Sequence, residues 1–448
     1  MKSSTPRSSA SSPRALALRI LARADADTLY ANLVLDTTLR RYSLSEADRS
    51  LLCALTYGVL EKQLTLDYLI GLLSRRPADT LDPQVRILLR MGLYQLRWMD
   101  RIPPHAALNE TVALAPARAR GFVNAVLRTY TREGNHLPFP DPATDPIAYL
   151  SVTYSFPEPL CRRFLTVFGR ERTERLLAAA NCPPPLTLRV HTLRTSPEAL
   201  TARLRAAGYT VSPGAYLPTA LSVPGGNPTA MPGFAEGEFF VQDEASQICV
   251  RALDAHPGMT VLDICACPGS KSFGAAIDMG DRGRLLAFDL HANKLSLISS
   301  GAARLGLSSI SVSARDGRDF DPSLAGIGDR VLCDVPCSGL GVMAKKPEIR
   351  YKNLDDAAAL PDIQLAIAEN ACRYVRPGGI LLYSTCTLLP EENEKNVARF
   401  LARHPDFQAE DFTVGSLRSE GGMLTLTPDR TGTDGFFMAK LRRNTDHG

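Results

Sequence analysis

Two cysteines carry the chemistry most easily read from this chain. Cys337 lies in Asp334-Val-Pro-Cys-Ser-Gly-Leu-Gly341 and Cys386 in Tyr383-Ser-Thr-Cys-Thr387, 49 residues apart, each at the end of a short apolar run that reads as a strand. A lone thiol in such a place is usually inert core, because a thiol titrating near ~8.5 needs local help to become a nucleophile. Two thiols at the tips of neighbouring strands, with Asp334 beside them, form a candidate nucleophilic pair. Other strand ends add polar groups. The run ending at Asp263 opens into Ile-Cys-Ala-Cys-Pro-Gly-Ser-Lys-Ser272. Its Pro268-Gly269 turn lets backbone amides approach a ligand, and the helix that follows presents its positive end. Asp289, roughly 20 residues past that turn, is placed to accept hydrogen bonds from ribose hydroxyls. Asp316, in Arg315-Asp-Gly317, can receive an amine such as that of adenine. The Gly-x4-Gly-Lys-Ser/Thr phosphate loop does not occur, so the predicted ligand carries ribose and adenine but needs no phosphate.

One sheet must hold these ends together. Val261–Ala266, Arg284–Asp289, Ser309–Ala314, Arg330–Val335 and Gly379–Cys386 are short apolar runs, and helical stretches such as Pro361–Val375 and Glu391–His404 lie between or after them. That alternation predicts a parallel sheet covered by helices, with ligands at the carboxyl ends of the strands. Glu391, Glu392 and Glu394 read as acids at the positive start of the last helix. Just after the Asp334 loop, Lys345, Lys346 and Arg350 could meet phosphates at the rim of the cleft or form a solvated loop.

Ahead of this region, Leu186–Val190 alternates like a strand, Ser196 to Gly208 has the Ser-Pro start and Gly end of a helix, and Gly237–Val241 is a second strand. Residues 14–135 read as helical. Ala17, Ile20, Leu21 and Ala24 fall at i, i+3, i+4 and i+7, the spacing of one buried face. Asp82-Pro83 looks like an N-cap followed by proline at the first helical position, with Val85, Leu88, Leu89, Gly92 and Leu96 as the stripe behind it. Gly121 to Tyr130 makes a further helix near Arg118, Arg120 and Arg128. The predicted organisation is a polar, Ser-rich disordered tail (1–13), a helical domain (14–135), a proline-rich linker (136–147), a small α+β domain (148–240) and an α/β domain (241–448).

Composition bounds the function. The 448 residues are 45% hydrophobic and 22% charged, which suits globular domains and excludes a wholly disordered chain. No run approaches the ~18 apolar residues of a membrane span. Ten scattered cysteines suit reduced thiols in a cytoplasm. The pairs Cys265/Cys267 and Cys333/Cys337 lack metal-site spacing, so no metal is expected. Residues 1–135 carry 19 Lys and Arg against 12 Asp and Glu, residues 136–240 carry 9 against 8, and residues 241–448 carry 23 against 27. A basic front on a mildly acidic back points to a polyanion meeting the front.

The strings DICACPGSKS, DVPCSGLGV with KKPEIRY, and YSTCTLLPEENE resemble the motifs of the RNA cytosine-C5 methyltransferases of the NOL1/NOP2/Sun superfamily. Asp48 to Gly58, Arg101-Ile-Pro-Pro-His-Ala with Asn109-Glu110, and Gly121-Phe-Val-Asn-Ala-Val-Leu-Arg128 resemble a NusB-like helical domain. The two together, with Asp434-Gly-Phe-Phe-Met438, resemble the bacterial RsmB (Sun/Fmu) type of small-subunit rRNA enzyme over nearly the whole chain. The resemblance implies a multidomain fold: an all-α NusB-like domain, a small α+β domain and a Rossmann-like class I methyltransferase. It implies methyl transfer from S-adenosylmethionine to C5 of a cytosine in 16S rRNA, with Cys386 as the nucleophile at C6, Cys337 releasing the product and Asp334 contacting the base near N3. The cofactor would lie across Cys265, Ala266, Cys267, Pro268, Gly269, Ser270 and Lys271, with Asp289, Asp316 and Asp334. The implied partner is 16S rRNA or a ribosomal assembly intermediate, met by a cytoplasmic monomer without a membrane. Alternatives are a tRNA cytosine-C5 methyltransferase, a catalytically inactive NusB-like RNA-binding factor, and exchanged roles for the two thiols. Cys267 and Ser270 depart from the usual Ala and Gly of the family's loop, and Tyr154-Ser-Phe-Pro-Glu158 lacks the expected His and Trp.

Overall fold

The computed structural model describes residues 12–27 and 31–445, so all of the expected tail but its last two residues lies outside the described residues. The chain forms two compact units, Met1–Asn181 with Lys346–Lys352, and Cys182–Lys345 with Asn353–Gly448. Among the described residues, no helix is long and apolar enough to cross a membrane.

The first unit is all-helical. It contains α1 (Pro13–Asp27), α2 (Ala31–Arg41), α3 (Glu46–Glu61), α4 (Gln63–Ser74), α5 (Pro83–Trp98), α6 (Pro104–Ala113) and α7 (Arg120–Glu133). After the proline-rich stretch come α8 (Pro146–Tyr154), α9 (Glu158–Phe168) and α10 (Arg170–Ala179). The start of α5 is set as its sequence predicts. Pro83 opens the helix, and the Asp82 carboxylate accepts the N–H groups of Gln84 and Val85, which have no partner within the helix. Val85, Leu88 and Leu89 are then buried in the core with Ala17, Ile20 and Leu21 of α1. A Cβ on Gly92 would come within 2.7 Å of Leu127, so glycine there permits the close packing of α5 on α7. Helices α8 to α10 group with this unit, and the strands of the α+β region begin only at Leu186. Lys346–Lys352 also belongs to the first unit, where Ile349 and Arg350 are buried.

The second unit begins with a small antiparallel sheet of β1 (Leu186–Val190), β2 (Ser212–Pro213), β3 (Ala220–Val223) and β4 (Phe239–Val241) in the order β2-β3-β1-β4. Helix α11 (Pro197–Ala206) packs on it, capped by Ser196 through the Ala199 N–H. Next come α12 (Glu244–Leu253), β5 (Thr260–Asp263), α13 (Ser270–Asp278), β6 (Arg284–Asp289), α14 (Leu295–Leu305), β7 (Ile310–Ala314), β8 (Gly328–Asp334), α15 (Leu360–Ala371), β9 (Val375–Thr385) and α16 (Glu394–Arg403). The chain closes with β10 (Phe407–Ala409), the pair β11 (Thr413–Val414) and β12 (Leu417–Arg418), β13 (Met423–Leu426), α17 (Pro428–Thr431) and β14 (Phe436–Arg443). The large sheet runs β10-β14-β9-β8-β5-β6-β7, with β13 also on β14. Strands β9 to β7 of this row are parallel and β14 is antiparallel to β9. Apolar residues of these central strands, such as Val331, Leu332, Leu381 and Leu382, are buried, as a sheet covered on both faces requires.

Candidate active site

The chain crosses the sheet between β5 and β8, and the acids and thiols gather at the carboxyl ends around that switch point, where open α/β sheets bind ligands. Asp334 ends β8 directly opposite Ser384 of β9. With the strands parallel and in that register, the two loops leave the sheet side by side. Their thiols meet with Cys337 Sγ 3.1 Å from Cys386 Sγ, and the Cys386 N–H points at Cys337 Sγ from 3.3 Å. The hydrogen bond to Cys386, then burial, pushes the Cys337 thiol well up. The Gly341 N–H donates to the Cys386 carbonyl at 2.9 Å, and the Gly435 N–H to the Gly341 carbonyl at 2.8 Å. A Cβ on Gly341 would lie 2.0 Å from the Gly435 oxygen, so this backbone contact requires glycine.

Asp334 is held from two sides. Its carboxylate accepts the Ser384 hydroxyl at 2.8 Å and the Lys271 ammonium at 2.7 Å. Lys271 reaches across the switch point from the first turn of α13 and lies 5.0 Å from the centre of the Phe436 ring. Burial works against the ammonium, but Asp334 outweighs it and the Lys271 pKa is raised.

The predicted cofactor loop turns tightly between β5 and α13. The Ala266 N–H donates to the Phe288 carbonyl, and the Gly269 N–H to the Ala266 carbonyl, both at 2.7 Å. Cys267-Pro268 is a cis peptide, and Gly269 has φ +107°, a left-handed backbone where a Cβ would also strike Phe273 at 2.6 Å. Ser270 is the first residue of α13. Burial pushes the Cys265 thiol up, whereas the half-buried Cys267 points its sulfur at the Lys294 carbonyl, 3.8 Å away. Asp289 accepts the Cys267 N–H at 3.1 Å and the His291 N–H at 3.0 Å, fixing the end of β6 to the loop. Asp316 takes Arg318 on its carboxylate at 2.6 Å, and that pairing lowers its pKa. Beneath the loop, fully buried Asp263 accepts the Ser272 hydroxyl at 2.6 Å, and burial pushes its carboxyl up to about 7.

The three cations expected at the rim separate. Lys345 is committed to Asp434 at 2.8 Å and to Asp243. Burial first, and then Asp243, push the Asp434 carboxyl up to about 6. Lys346 is exposed. Arg350 is 1% exposed and donates to the carbonyls of Glu61 (3.0 Å) and Ser155 (3.3 Å) and to Asn181 Oδ1 (2.9 Å), with Phe156 under its guanidinium at 4.0 Å. It ties the helical unit together from within, and its place on an RNA-facing rim is withdrawn. Glu392 is also reassigned. Helix α16 starts at Glu394, and Glu392 is buried in the preceding turn, bonded to the loop that carries Cys337. An acid near a helix start gives no sequence signal for such a contact; only its place just after the Cys386 strand pointed toward the site.

A class I methyltransferase sheet that carries two thiols at the ends of β8 and β9, preceded in the chain by a helical unit and a small α+β sheet, defines a Sun-type methyltransferase. The description "16S rRNA methyltransferase RsmB/F" matches residues 250–442, the NusB family matches 11–132, and the ferredoxin-like domain of the RsmF/B methyltransferases matches 156–229. The "Probable ribosomal RNA small subunit methyltransferase B" of Bacillus subtilis is 36% identical over 445 residues, covering 96% of this chain and 99% of that protein. The ribosomal RNA small subunit methyltransferase B of Klebsiella pneumoniae is 36% identical over 411 residues, covering 90% and 92%. The crystal structure of PH0851 matches with a TM-score of 0.78 at 27% identity, over 99% of this chain and 100% of that one. This chain belongs to the family of ribosomal RNA small subunit methyltransferase B.

Proposed function

We propose that this protein transfers a methyl group from S-adenosylmethionine to C5 of a cytosine in 16S rRNA, through a covalent bond between Cys386 and C6 of the base. The observation that carries the reading is the 3.1 Å approach of Cys337 and Cys386 at adjacent strand ends, with the Lys271–Asp334 pair beside them.

C5 of cytosine is a poor nucleophile until a thiolate adds at C6 and makes the ring enamine-like. Cys386, with Cys337 3.1 Å from it, is the attacking sulfur, as the resemblance to the family's motifs implies. Its addition forms the C6–S bond and moves the ring electrons to C5, and a hydrogen bond between Asp334 and the base near N3 favours that step. S-adenosylmethionine supplies an electrophilic methyl group. The donor set suits it: Asp289 and Asp316 are acceptors at the ends of β6 and just past β7, for ribose and adenine, and Gly269 keeps the loop free of a side chain. After transfer, C5 bears both methyl and hydrogen. Cys337 assists loss of that hydrogen as a proton, the electron pair restores the C5–C6 double bond, and the C6–S pair returns to Cys386.

The cytosine must be unpaired or flipped, since its ring faces are hidden in a duplex. The excess of 19 basic over 12 acidic residues in 1–135 supports a helical unit that grips the RNA backbone. The family's small-subunit name supports 16S rRNA over tRNA. Bisulfite sequencing after incubation with S-adenosylmethionine and each RNA in turn tests this. A newly protected cytosine in 16S rRNA is expected. Protection in tRNA alone moves the substrate, and protection in neither favours an RNA-binding factor without activity.

A further inference from the structure

Beneath the two thiols, one turn grips the residues that flank each of them. Glu392 and Asn393 are adjacent in the turn between β9 and α16, and each is 1% exposed. One oxygen of Glu392 accepts the Ser338 N–H at 2.9 Å and a Gln364 amide hydrogen at 2.8 Å; the other accepts the Ser338 hydroxyl at 2.5 Å. Gln364 gives its second hydrogen to the Pro336 carbonyl at 2.9 Å. Cys337 is therefore pinned through both of its chain neighbours. Asn393 does the same for Cys386: it accepts the Thr385 hydroxyl at 2.6 Å and donates to the Thr387 carbonyl at 3.1 Å.

The two grips are joined. Ser338 has one hydroxyl proton, and it lies on the Glu392 carboxylate, so the 2.6 Å contact with Thr387 is donated by Thr387. A buried carboxylate is tolerated only when donors replace water, and here three donors do so without any of them touching a reacting atom. The chemistry that needs such an arrangement is the placement of two sulfurs against one base, where a shift of about 1 Å can cost a hundredfold in rate.

We infer that Glu392 and Asn393 are positioning residues, one for each thiol: Glu392 sets Cys337 for product release, and Asn393 sets Cys386 for attack. The assignment rests on the thiol roles proposed above, so its test has one arm that does not depend on them. In the full-length protein, diamide oxidises Cys337 and Cys386 to a disulfide, taking up their two hydrogens and two electrons, and peptide mass spectrometry follows closure. Glu392→Gln turns amide hydrogens toward hydrogen-bond donors, and Asn393→Asp removes the donor to Thr387. Both should slow closure about tenfold or more. In the second arm, a denaturing gel with labelled RNA should show Glu392→Gln accumulating the covalent species that Cys337→Ser accumulates. Asn393→Asp should lose methyl transfer and form no such band. Unchanged closure in either variant overturns the grip on that thiol, and identical gel behaviour of the two variants overturns the one-thiol-each assignment. If Cys337→Ser itself forms no adduct, the thiol reading has failed and closure alone decides the grip. Should Glu392→Gln not fold, Ser338→Ala decides instead; it removes only the hydroxyl link and must slow closure in the same direction.

Discussion

The Lys271 ammonium sits 2.7 Å from Asp334, joining the first turn of α13 to the end of β8 across the switch point of the sheet. Their side chains are 12% and 26% exposed, so the pair is only partly screened. Lys271→Met keeps the stem and removes the charge, leaving a half-buried carboxylate with Ser384 as its remaining donor in this site. Urea unfolding should show a loss of about 1–3 kcal/mol. Methyl transfer should fall in kcat more than in KM for RNA, because Asp334, proposed to contact the base, loses its alignment while the proposed RNA grip of the helical unit is untouched.

The thiols separate by what each mutant leaves behind. Cys386→Ser should abolish methyl transfer and form no covalent RNA species. Cys337→Ser can still be attacked and methylated but should stall, giving a shifted band on a denaturing gel. A band from Cys386→Ser and none from Cys337→Ser would exchange the two roles.

Asp289 fixes the proposed cofactor loop by accepting the Cys267 N–H on one oxygen and the His291 N–H on the other. Asp289→Ala should weaken S-adenosylmethionine binding by roughly 1–3 kcal/mol in calorimetry. Full affinity in a folded variant would remove Asp289 from the cofactor site.

The strand ends were legible because apolar runs of fixed length place an acid or a thiol where the sheet stops, and because β8 and β9 are neighbours in a common βαβ order. Helices α1 and α5 were legible from their stripes. Strand edges moved by a few residues: β5 stops at Asp263, leaving Cys265 and Ala266 in the turn, and β9 begins at Val375, ahead of the Pro-Gly-Gly that hid its start. What could not be read was tertiary. Arg350 looks like a rim cation in a run with Lys345 and Lys346, and only the insertion of Lys346–Lys352 into the helical unit buries it. Glu392 looks like a helix-start acid, and its partner Ser338 lies 54 residues away.

Asp263 links the proposed cofactor loop to pH. Its carboxyl is pushed from 3.8 to about 7 by burial, with Asp334 adding to the rise and Ser272 opposing it. Between these values the folded chain holds a proton that the unfolded chain has released. Stability from this group is therefore full below pH ~4 and is lost as pH rises toward ~7. Asp263→Asn cannot ionise, so the wild type minus variant difference in unfolding free energy should fall by about 4 kcal/mol across that window and level off above it. A flat difference between pH 4 and 8 would mean that Asp263 is ionised when folded.

Arg350 and Lys346 lie four residues apart and should behave oppositely. Arg350→Ala strands the Glu61 and Ser155 carbonyls and Asn181 Oδ1, and empties the space over Phe156. Losing charged hydrogen bonds and packing together should cost about 3–5 kcal/mol, read as a lower urea midpoint. Its RNA affinity, measured where it is folded, should keep the wild-type dependence on salt, because no phosphate contact is lost. Lys346→Ala removes an exposed cation and should change stability by less than about 0.5 kcal/mol. If Lys346 meets a phosphate, the slope of log K against log salt should shrink by about 0.7–0.9 in that variant. A shrunken slope in Arg350→Ala, with stability intact, would return Arg350 to the RNA surface and take it out of the helical core.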